Sequence, residues 1–362
     1  RRQRQMCIRD RTGALSLAGL CKEEHPDIYT RTYKFLQSFD YITYLLTGRP
    51  FASSSTSGIT LWNEQRLAKA GLDIQKFPEI RYMGEKIGET TRKAAARFGV
   101  AAHLPVFAVG VDFAAGLIGT GALSKGRSCE RAGSSGGINL CWDTPIHDTR
   151  LLCYRHFIKN RYNVAGITST YGKALEWARS ILDIDVNNRE KIPPPKGNNP
   201  PSILFLPYLK GERTPLWNPF AKGILMGINE NSTQDDILYA VYMGLAFSIR
   251  DAIEIVEGNG CSFQYPVVTT GGLAGNDWFI QLKADVTGKE FAVTQTNDAE
   301  LLGISIVIAQ ALGLYTDIEK AALKIVRLQK TFRPRNELYT AYTRLYRLYK
   351  GLQNKLVVHF LP

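Results

Sequence analysis

The amino-acid sequence predicts an α/β protein of two domains, and three observations carry that expectation. Its 362 residues are enough for two domains of ordinary size. A composition of 44% hydrophobic and 22% charged residues with 32 glycines belongs to a folded chain, neither disordered nor fibrous. Short apolar runs lead into glycine-rich turns and then into helical patterns, the alternation that holds ligands at strand ends.

Taken in order, residues 12–48 read as helical, because apolar and aromatic residues recur at helical spacing through IYTRTYKFLQSFDYITYLLTG until Gly48 and Pro50 close the run. A polar ASSSTSG stretch precedes a second helical segment near 61–70. LPVFAVGVDFAAGLIGTGAL reads as a short strand, a small-residue turn around Asp112 and further small residues. CERAGSSGGINLCW reads as two strands joined by a tight turn, and VAGITSTYGKALEWARSIL as a strand or turn entering a helix with Leu175, Trp177 and Ile181 on its apolar face. The proline-rich loop 187–201 interrupts the rhythm. Beyond it come the buried-type strand ILFLPYL, the long amphipathic helix DDILYAVYMGLAFSIRDAIEIV, the strand–turn–helix PVVTTGGLAGNDWFIQLKADVTG and the helix AELLGISIVIAQALG. Tyr339, Tyr342, Tyr346 and Tyr349 recur three or four apart, a packing stripe on a terminal helix.

The formal net charge of +12 raises nucleic-acid binding as a reading, but the N-terminus accounts for part of it. Arg1 to Asp10, RRQRQMCIRD, back-translates codon for codon into the transposase adaptor used in sequencing libraries, whose last bases begin the codon of Arg11. Residues 1–11 are therefore read as an adaptor-derived scar, with a natural basic tail as the alternative; they contribute +4. Much of the remainder lies in the helical C-terminus between Lys324 and Lys355, where a solvated face is the default reading, and no nucleic acid is expected as a partner. Six scattered cysteines without a C-x-x-C pair suit a reducing cytoplasm, and five dispersed histidines speak against a structural zinc site. No apolar run reaches the length of a membrane span and no signal-peptide pattern opens the chain, so a cytoplasmic location without membrane association is expected.

Three segments bear on chemistry. In Val106-Phe-Ala-Val-Gly-Val-Asp112-Phe-Ala-Ala-Gly116 a carboxylate leaves an apolar strand among small residues. It could accept a proton from an attacking hydroxyl or hold a metal, and an Asp after a strand is as often a turn or helix cap. In Ala132-Gly-Ser-Ser-Gly-Gly137 backbone N–H groups could converge on an anion, or the segment is a plain hairpin turn. In Thr269-Thr-Gly-Gly-Leu-Ala-Gly-Asn276 glycines would let a flat ligand lie against backbone, with Asn276 at its edge. No G-K-[ST] follows it and the G-x-G-x-x-G spacing is absent, so it is neither a Walker loop nor a dinucleotide fingerprint.

The order of these segments and their company narrow the choice. Phe205-Leu-Pro-Tyr-Leu-Lys-Gly-Glu-Arg-Thr-Pro-Leu-Trp-Asn-Pro219, then Gly223-Ile-Leu-Met-Gly-Ile228 and Asp236-Ile-Leu-Tyr-Ala-Val-Tyr, closely resemble the central stretch of the FGGY carbohydrate kinases such as xylulokinase, with a departure at Met243. The resemblance runs from about residue 15 to residue 352. It implies an actin-like, ribonuclease-H-like pair of domains, with 12–121 as the C-terminal part of an incomplete first domain and 122–356 as the second, including the terminal helix. It implies ATP-dependent phosphorylation of a sugar or polyol, with ATP and Mg²⁺ as cofactors and a homodimer as an admissible assembly.

Carried over residue by residue, Asp112 matches the family's catalytic base, and Gly133 with Ser134 the loop that touches nucleotide phosphates, serine standing where threonine is usual. Gly172 and Glu176 match positions near ribose and phosphates, and Gly271, Gly272 and Asn276 the adenosine pocket. Phe113 replaces the Asn or Gln that contacts the polyol and cannot hydrogen-bond a hydroxyl, so xylulose is only the nearest substrate label. The family's Asp-x-Gly-Thr phosphate loop occurs nowhere in the sequence, so the full-length parent is expected to be the active kinase and this fragment nearly inactive. A non-catalytic nucleotide- or sugar-binding module on the same fold is the competing reading, supported by Phe113 and Ser134.

Overall fold

The computed structural model describes residues 14–55, 61–184, 200–296 and 298–356. The adaptor reading at 1–11 and nearly all of the proline-rich loop lie outside the described residues. The chain divides into two compact units, one of residues 1–115 with 304–321 and the other of residues 116–303 with 322–362.

The first unit opens with α1 (Ala14–Glu24), α2 (Pro26–Arg31) and α3 (Ser38–Thr47), where the spacing suggests one continuous helical run. Pro26 divides it by starting α2, since proline lacks the N–H an interior position must donate. Gly48 ends α3 in the left-handed region at φ +72°, its N–H donating to the Tyr44 carbonyl. Then follow β1 (Phe51–Ser54), α4 (Glu64–Lys69), β2 (Glu79–Tyr82), β3 (Lys86–Glu89), α5 (Arg92–Phe98) and β4 (Pro105–Phe107). β1 pairs parallel with β2, and β3 antiparallel with β4. Ala18, Tyr29, Trp62, Leu67, Leu72 and Phe77 form a small buried core, and the buried carboxylate of Asp40 accepts the Ser53 N–H at 2.8 Å.

The chain leaves this unit through α6 (Asp112–Gly119) and builds β5 (Ser128–Ala132), β6 (Gly136–Trp142), β7 (Leu152–Arg155), β8 (Tyr162–Thr168), α7 (Gly172–Ile181), β9 (Leu204–Leu206) and β10 (Ile224–Met226). After them come α8 (Gln234–Gly258), β11 (Val267–Thr270), α9 (Asp277–Thr287), β12 (Phe291–Thr294), α10 (Ala299–Ala311), α11 (Ile318–Ile325), β13 (Leu328–Phe332) and α12 (Asn336–Leu356). Seven strands form one mixed sheet in the order β13-β12-β11-β5-β6-β8-β7. β5, β11 and β12 run parallel, so Ala132, Thr270 and Thr294 end at the same edge.

Helix α8 is buried along most of its length and starts at a capping box in which Thr233 and Asp236 exchange hydrogen bonds. The tyrosine stripe of α12 behaves as its spacing predicts: Tyr342, Tyr346 and Tyr349 are buried, and the Tyr349 hydroxyl lies 3.2 Å from that of Tyr208. In α7 the buried stripe is Ala174, Leu175 and Ala178, whereas Ile181 and Trp177 are exposed, the latter stacking on Phe205. Among the described residues no helix is long and apolar enough to cross a membrane.

Candidate functional site

In the second unit two glycine turns leave the parallel ends of adjacent strands. Residues 133–135 connect β5 to β6, with Ala132 paired to Gly136, and Gly271 with Gly272 follows β11 next to it. Gly271 has φ +96°, and a Cβ there would stand 2.9 Å from the Ala132 carbonyl and 3.2 Å from the Gly133 nitrogen. Only glycine permits that approach. The Leu273 N–H donates to the Ala132 carbonyl at 3.1 Å and ties the second turn to the first. Helix α7 abuts the same hairpin: the Gly172 N–H donates to the Gly133 carbonyl at 2.9 Å and the Tyr171 N–H to the Ser134 carbonyl at 3.0 Å. A Cβ on Gly172 would come within 2.8 Å of the Gly133 oxygen. The turn is thus a braced hairpin whose outward carbonyls are occupied by the helix entrance.

Beneath the turns lies a fully buried charge pair. Glu130 on β5 and Lys283 on α9 are both 0% exposed and form an ion pair. Glu130 also accepts from the Tyr171 hydroxyl at 2.8 Å and the Thr269 hydroxyl at 2.7 Å. Burial holds the Lys283 ammonium below the usual lysine range, against the opposing pull of Glu130. One carboxylate therefore joins β5, β11, α9 and the entrance to α7, which fixes the two turns relative to each other. Tyr171 further packs its ring against Gly136, where any side chain would collide with it.

Two concavities open at these strand ends. The larger, of about 460 Å³, is floored by Gly271, Gly272, Ala274 and Gly275 and walled by Thr294, Thr296 and Gln329. That volume suits a small organic ligand. Among the described residues its charged lining groups are acidic: Asp277, which is paired with Lys330, Asp298, whose carboxylate accepts the Leu301 N–H at 2.9 Å, and Glu300. The smaller, of about 160 Å³, is lined by the 133–136 turn, Thr270, Gly271, Arg131 and Glu300. Arg131 and Glu300 face each other there at 3.6 Å. Helix α10, which carries Glu300, packs tightly on α6, where Gly119 leaves no room for a side chain against Ala299 and Gly303. Glu300 itself lies over Gly116.

Asp112 belongs to the first unit. It is the exposed first residue of α6, and its Oδ1 accepts the Phe113 N–H at 2.6 Å. The small residues after it are helix rather than turn, and Ala114 and Ala115 are buried. The backbone leading to it is pinned: Gly110 takes φ +72° with its α-carbon against Ser55, and the Ser55 hydroxyl accepts the Val111 N–H at 3.1 Å. A carboxylate on such a support can take a proton from a bound hydroxyl.

The structure thus brings Gly133, Ser134, Gly172, Gly271 and Gly272 together. Asn276 caps α9, its side-chain oxygen accepting the Phe279 N–H at 3.0 Å. Glu176 is exposed one turn into α7 and lines neither concavity, while Phe113 is half-buried beside Asp112. Among the described residues no group of three or more His, Cys, Asp or Glu side chains could hold a metal ion.

Sequence reasoning missed Arg131, Glu300 and the Glu130–Lys283 pair. The available signal was a charge inside otherwise apolar strand and helix segments, because lysine and glutamate are buried only when paired. It also left the role of Gly211-Glu212-Arg213-Thr214 unassigned. These residues clasp the end of β8: Glu212 accepts the Ser169 N–H at 2.6 Å, Arg213 donates to the Thr168 carbonyl at 2.8 Å, and the Thr214 hydroxyl donates to the Ile167 carbonyl at 2.9 Å.

Comparison with known proteins places these features in context. Residues 19–119 match the FGGY family of carbohydrate kinases, N-terminal domain, and residues 132–312 its C-terminal domain. The chain is 25% identical over 349 residues to a xylulose kinase of Staphylococcus xylosus, covering 91% of this chain and 71% of the relative. Against a xylulose kinase of Bacillus subtilis it is 26% identical over 345 residues, covering 91% and 68%. A gluconokinase of Bacillus licheniformis is 26% identical over 366 residues, covering 92% and 69%. Among solved structures, a gluconate kinase from Lactobacillus acidophilus superposes with a TM-score of 0.81 at 22% identity, covering 97% of this chain and 73% of that one.

Proposed function

Since this chain belongs to the FGGY family of carbohydrate kinases, ATP-dependent sugar phosphotransferases of actin-like fold, we propose that its acceptor is a sugar or polyol of the xylulose class and that the strand-end turns of the second unit hold the nucleotide. The observation that carries this reading is the pair of glycine turns braced against each other at the parallel ends of β5 and β11, beside a glycine-floored concavity of about 460 Å³. A flat base can lie on a surface without Cβ atoms, and phosphates can approach backbone N–H groups at the Gly133 and Ser134 turn. Gly271 and Gly272 then sit under the nucleoside. Asn276, Gly172 and Glu176 act around them, Asn276 by holding the start of α9 in place.

Asp112 is the proposed general base. Its carboxylate takes the proton of the acceptor hydroxyl as that oxygen bonds to the γ-phosphorus, while the bond from the γ-phosphorus to the bridging oxygen breaks and ADP leaves. Mg²⁺ would travel with the triphosphate and neutralise its charge; a cation held mainly by phosphate oxygens needs no all-protein cage. Phe113 offers the acceptor an apolar contact in place of a hydrogen bond.

The test is ADP release against a panel of pentuloses, aldonates and polyols by the protein joined to a relative's Asp-x-Gly-Thr phosphate-loop segment, with ADP binding measured in parallel. Asp112→Asn is expected to lower turnover by about 10²- to 10⁴-fold and leave ADP binding unchanged. An unaltered rate in that variant would remove Asp112 from the role. Nucleotide binding without acceptor-dependent ADP release would favour the binding-module reading that Phe113 also suits.

A further inference from the structure

Arg131 and Glu300 have no assigned part in the reading above, yet they are the charged lining residues of the smaller concavity. Their placement follows from the strand. Successive side chains on β5 alternate between faces, so Glu130 points to Lys283 in the core and Arg131 points to the opposite side. The two ion pairs, on neighbouring residues, differ in kind. Glu130 and Lys283 are fully buried and in hydrogen-bond contact, whereas Arg131 and Glu300 are about one-third exposed and stand 3.6 Å apart, beyond a good hydrogen bond. The first is a permanent brace. The second pair is longer and closer to water, and a contact of that kind contributes little by itself.

We propose that Arg131 is a phosphate ligand of the bound nucleotide and that Glu300 is its resting partner, displaced when an anionic phosphate enters. The inference rests on the nucleotide-site reading. The larger concavity presents three carboxylates, of which only Asp277 is offset by a paired lysine, Lys330, and no lysine or arginine among its described lining residues, so an uncharged nucleoside is favoured there over a polyphosphate. In the smaller one Arg131 is the single cationic group among the described lining residues, next to the Gly133–Ser135 backbone. A guanidinium matches a phosphate with two parallel charge-assisted N–H···O bonds, so an entering phosphate competes with the Glu300 carboxylate for Arg131. Glu300 opposes binding in two ways. It occupies Arg131, and its own charge faces the same cavity.

The experiment compares ADP and adenosine binding to the full chain by calorimetry, for wild type, Arg131→Gln, Arg131→Lys and Glu300→Gln. Arg131→Gln is expected to weaken ADP by about ten- to a hundred-fold and leave adenosine unchanged, with Arg131→Lys between it and wild type. Glu300→Gln is expected to bind ADP about two- to fivefold more tightly, a gain that misfolding cannot produce. If adenosine and ADP both bind but Arg131→Gln holds ADP as well as wild type does, the assignment of Arg131 is overturned while the site reading stands. If Glu300→Gln binds ADP no more tightly, the resting-partner role of Glu300 is overturned. Binding of neither ligand by wild type overturns the nucleotide site itself.

Discussion

Glu212 is a carboxyl group that folding has removed from water. Burial pushes it up to about 7, against the lowering effect of the Ser169 and Arg213 N–H groups that donate to its Oε1. Its Oε2 has no hydrogen-bond partner among the described residues, so nothing at that oxygen offsets the desolvation of the ionised form. Because the folded-state value lies above the ordinary glutamate value of 4.5, the native state keeps a proton that the unfolded chain releases between those pH values. Stability contributed by this group is therefore present below about pH 4.5 and lost as pH rises to about 7, by roughly 3 kcal/mol across the window. Glu212→Gln, which carries a fixed neutral group, is expected to flatten that part of the stability profile. Urea unfolding of both proteins at pH 5 and pH 8 checks it, and parallel profiles would show that Glu212 is ionised in the folded protein. The motif around Glu212 was legible in the sequence as a family signature. Its physical role was not, because the partners Ser169, Thr168 and Ile167 lie more than forty positions away in the chain.

At the scale of elements, the glycine turns divide into positions that the fold needs and positions that a ligand needs. Gly271 combines a left-handed φ of +96° with a Cβ position 2.9 Å from the Ala132 carbonyl. Gly271→Ala is expected to cost about 1–3 kcal/mol in stability and to weaken ADP binding as the turn shifts. Gly272 has an ordinary φ and nothing within 4 Å of its Cβ position, yet it lines the larger concavity. Gly272→Ala is therefore expected to leave stability within about 0.5 kcal/mol of wild type and to reduce nucleotide affinity by filling the floor. Thermal melts and ADP titrations of the pair separate the two effects; equal melting losses would contradict them. The strand–turn–helix order of this region was readable from apolar runs and glycines. That residues 133–135 and 271–272 would brace each other was not, since it depends on β5 and β11 being neighbours although about 140 residues separate them in the chain.

At the scale of the molecule, the two units have separate cores, and the proposed nucleotide cradle draws its residues from the second alone. Leu67, 1% exposed in the small core of the first unit, is expected to cost about 2–5 kcal/mol when replaced by alanine. ADP affinity of the remaining native protein should stay that of wild type, as measured by titration well below the melting temperature. A large loss of affinity would tie the cradle to the first core.

The sequence by itself determined the α/β class, the family resemblance and the glycine positions, because local periodicity, turn chemistry and contiguous motifs are written in neighbouring residues. It pointed to Asp112 as a base only through that resemblance. Tertiary structure alone decided which charges are buried and paired, that the small residues after Asp112 form a helix packed on α10 through Gly116 and Gly119, and that Asn276 serves as a helix cap. Residue type says what a side chain can do. Burial, partner and dielectric surroundings, which arise only when distant segments meet, decide which of those things it does.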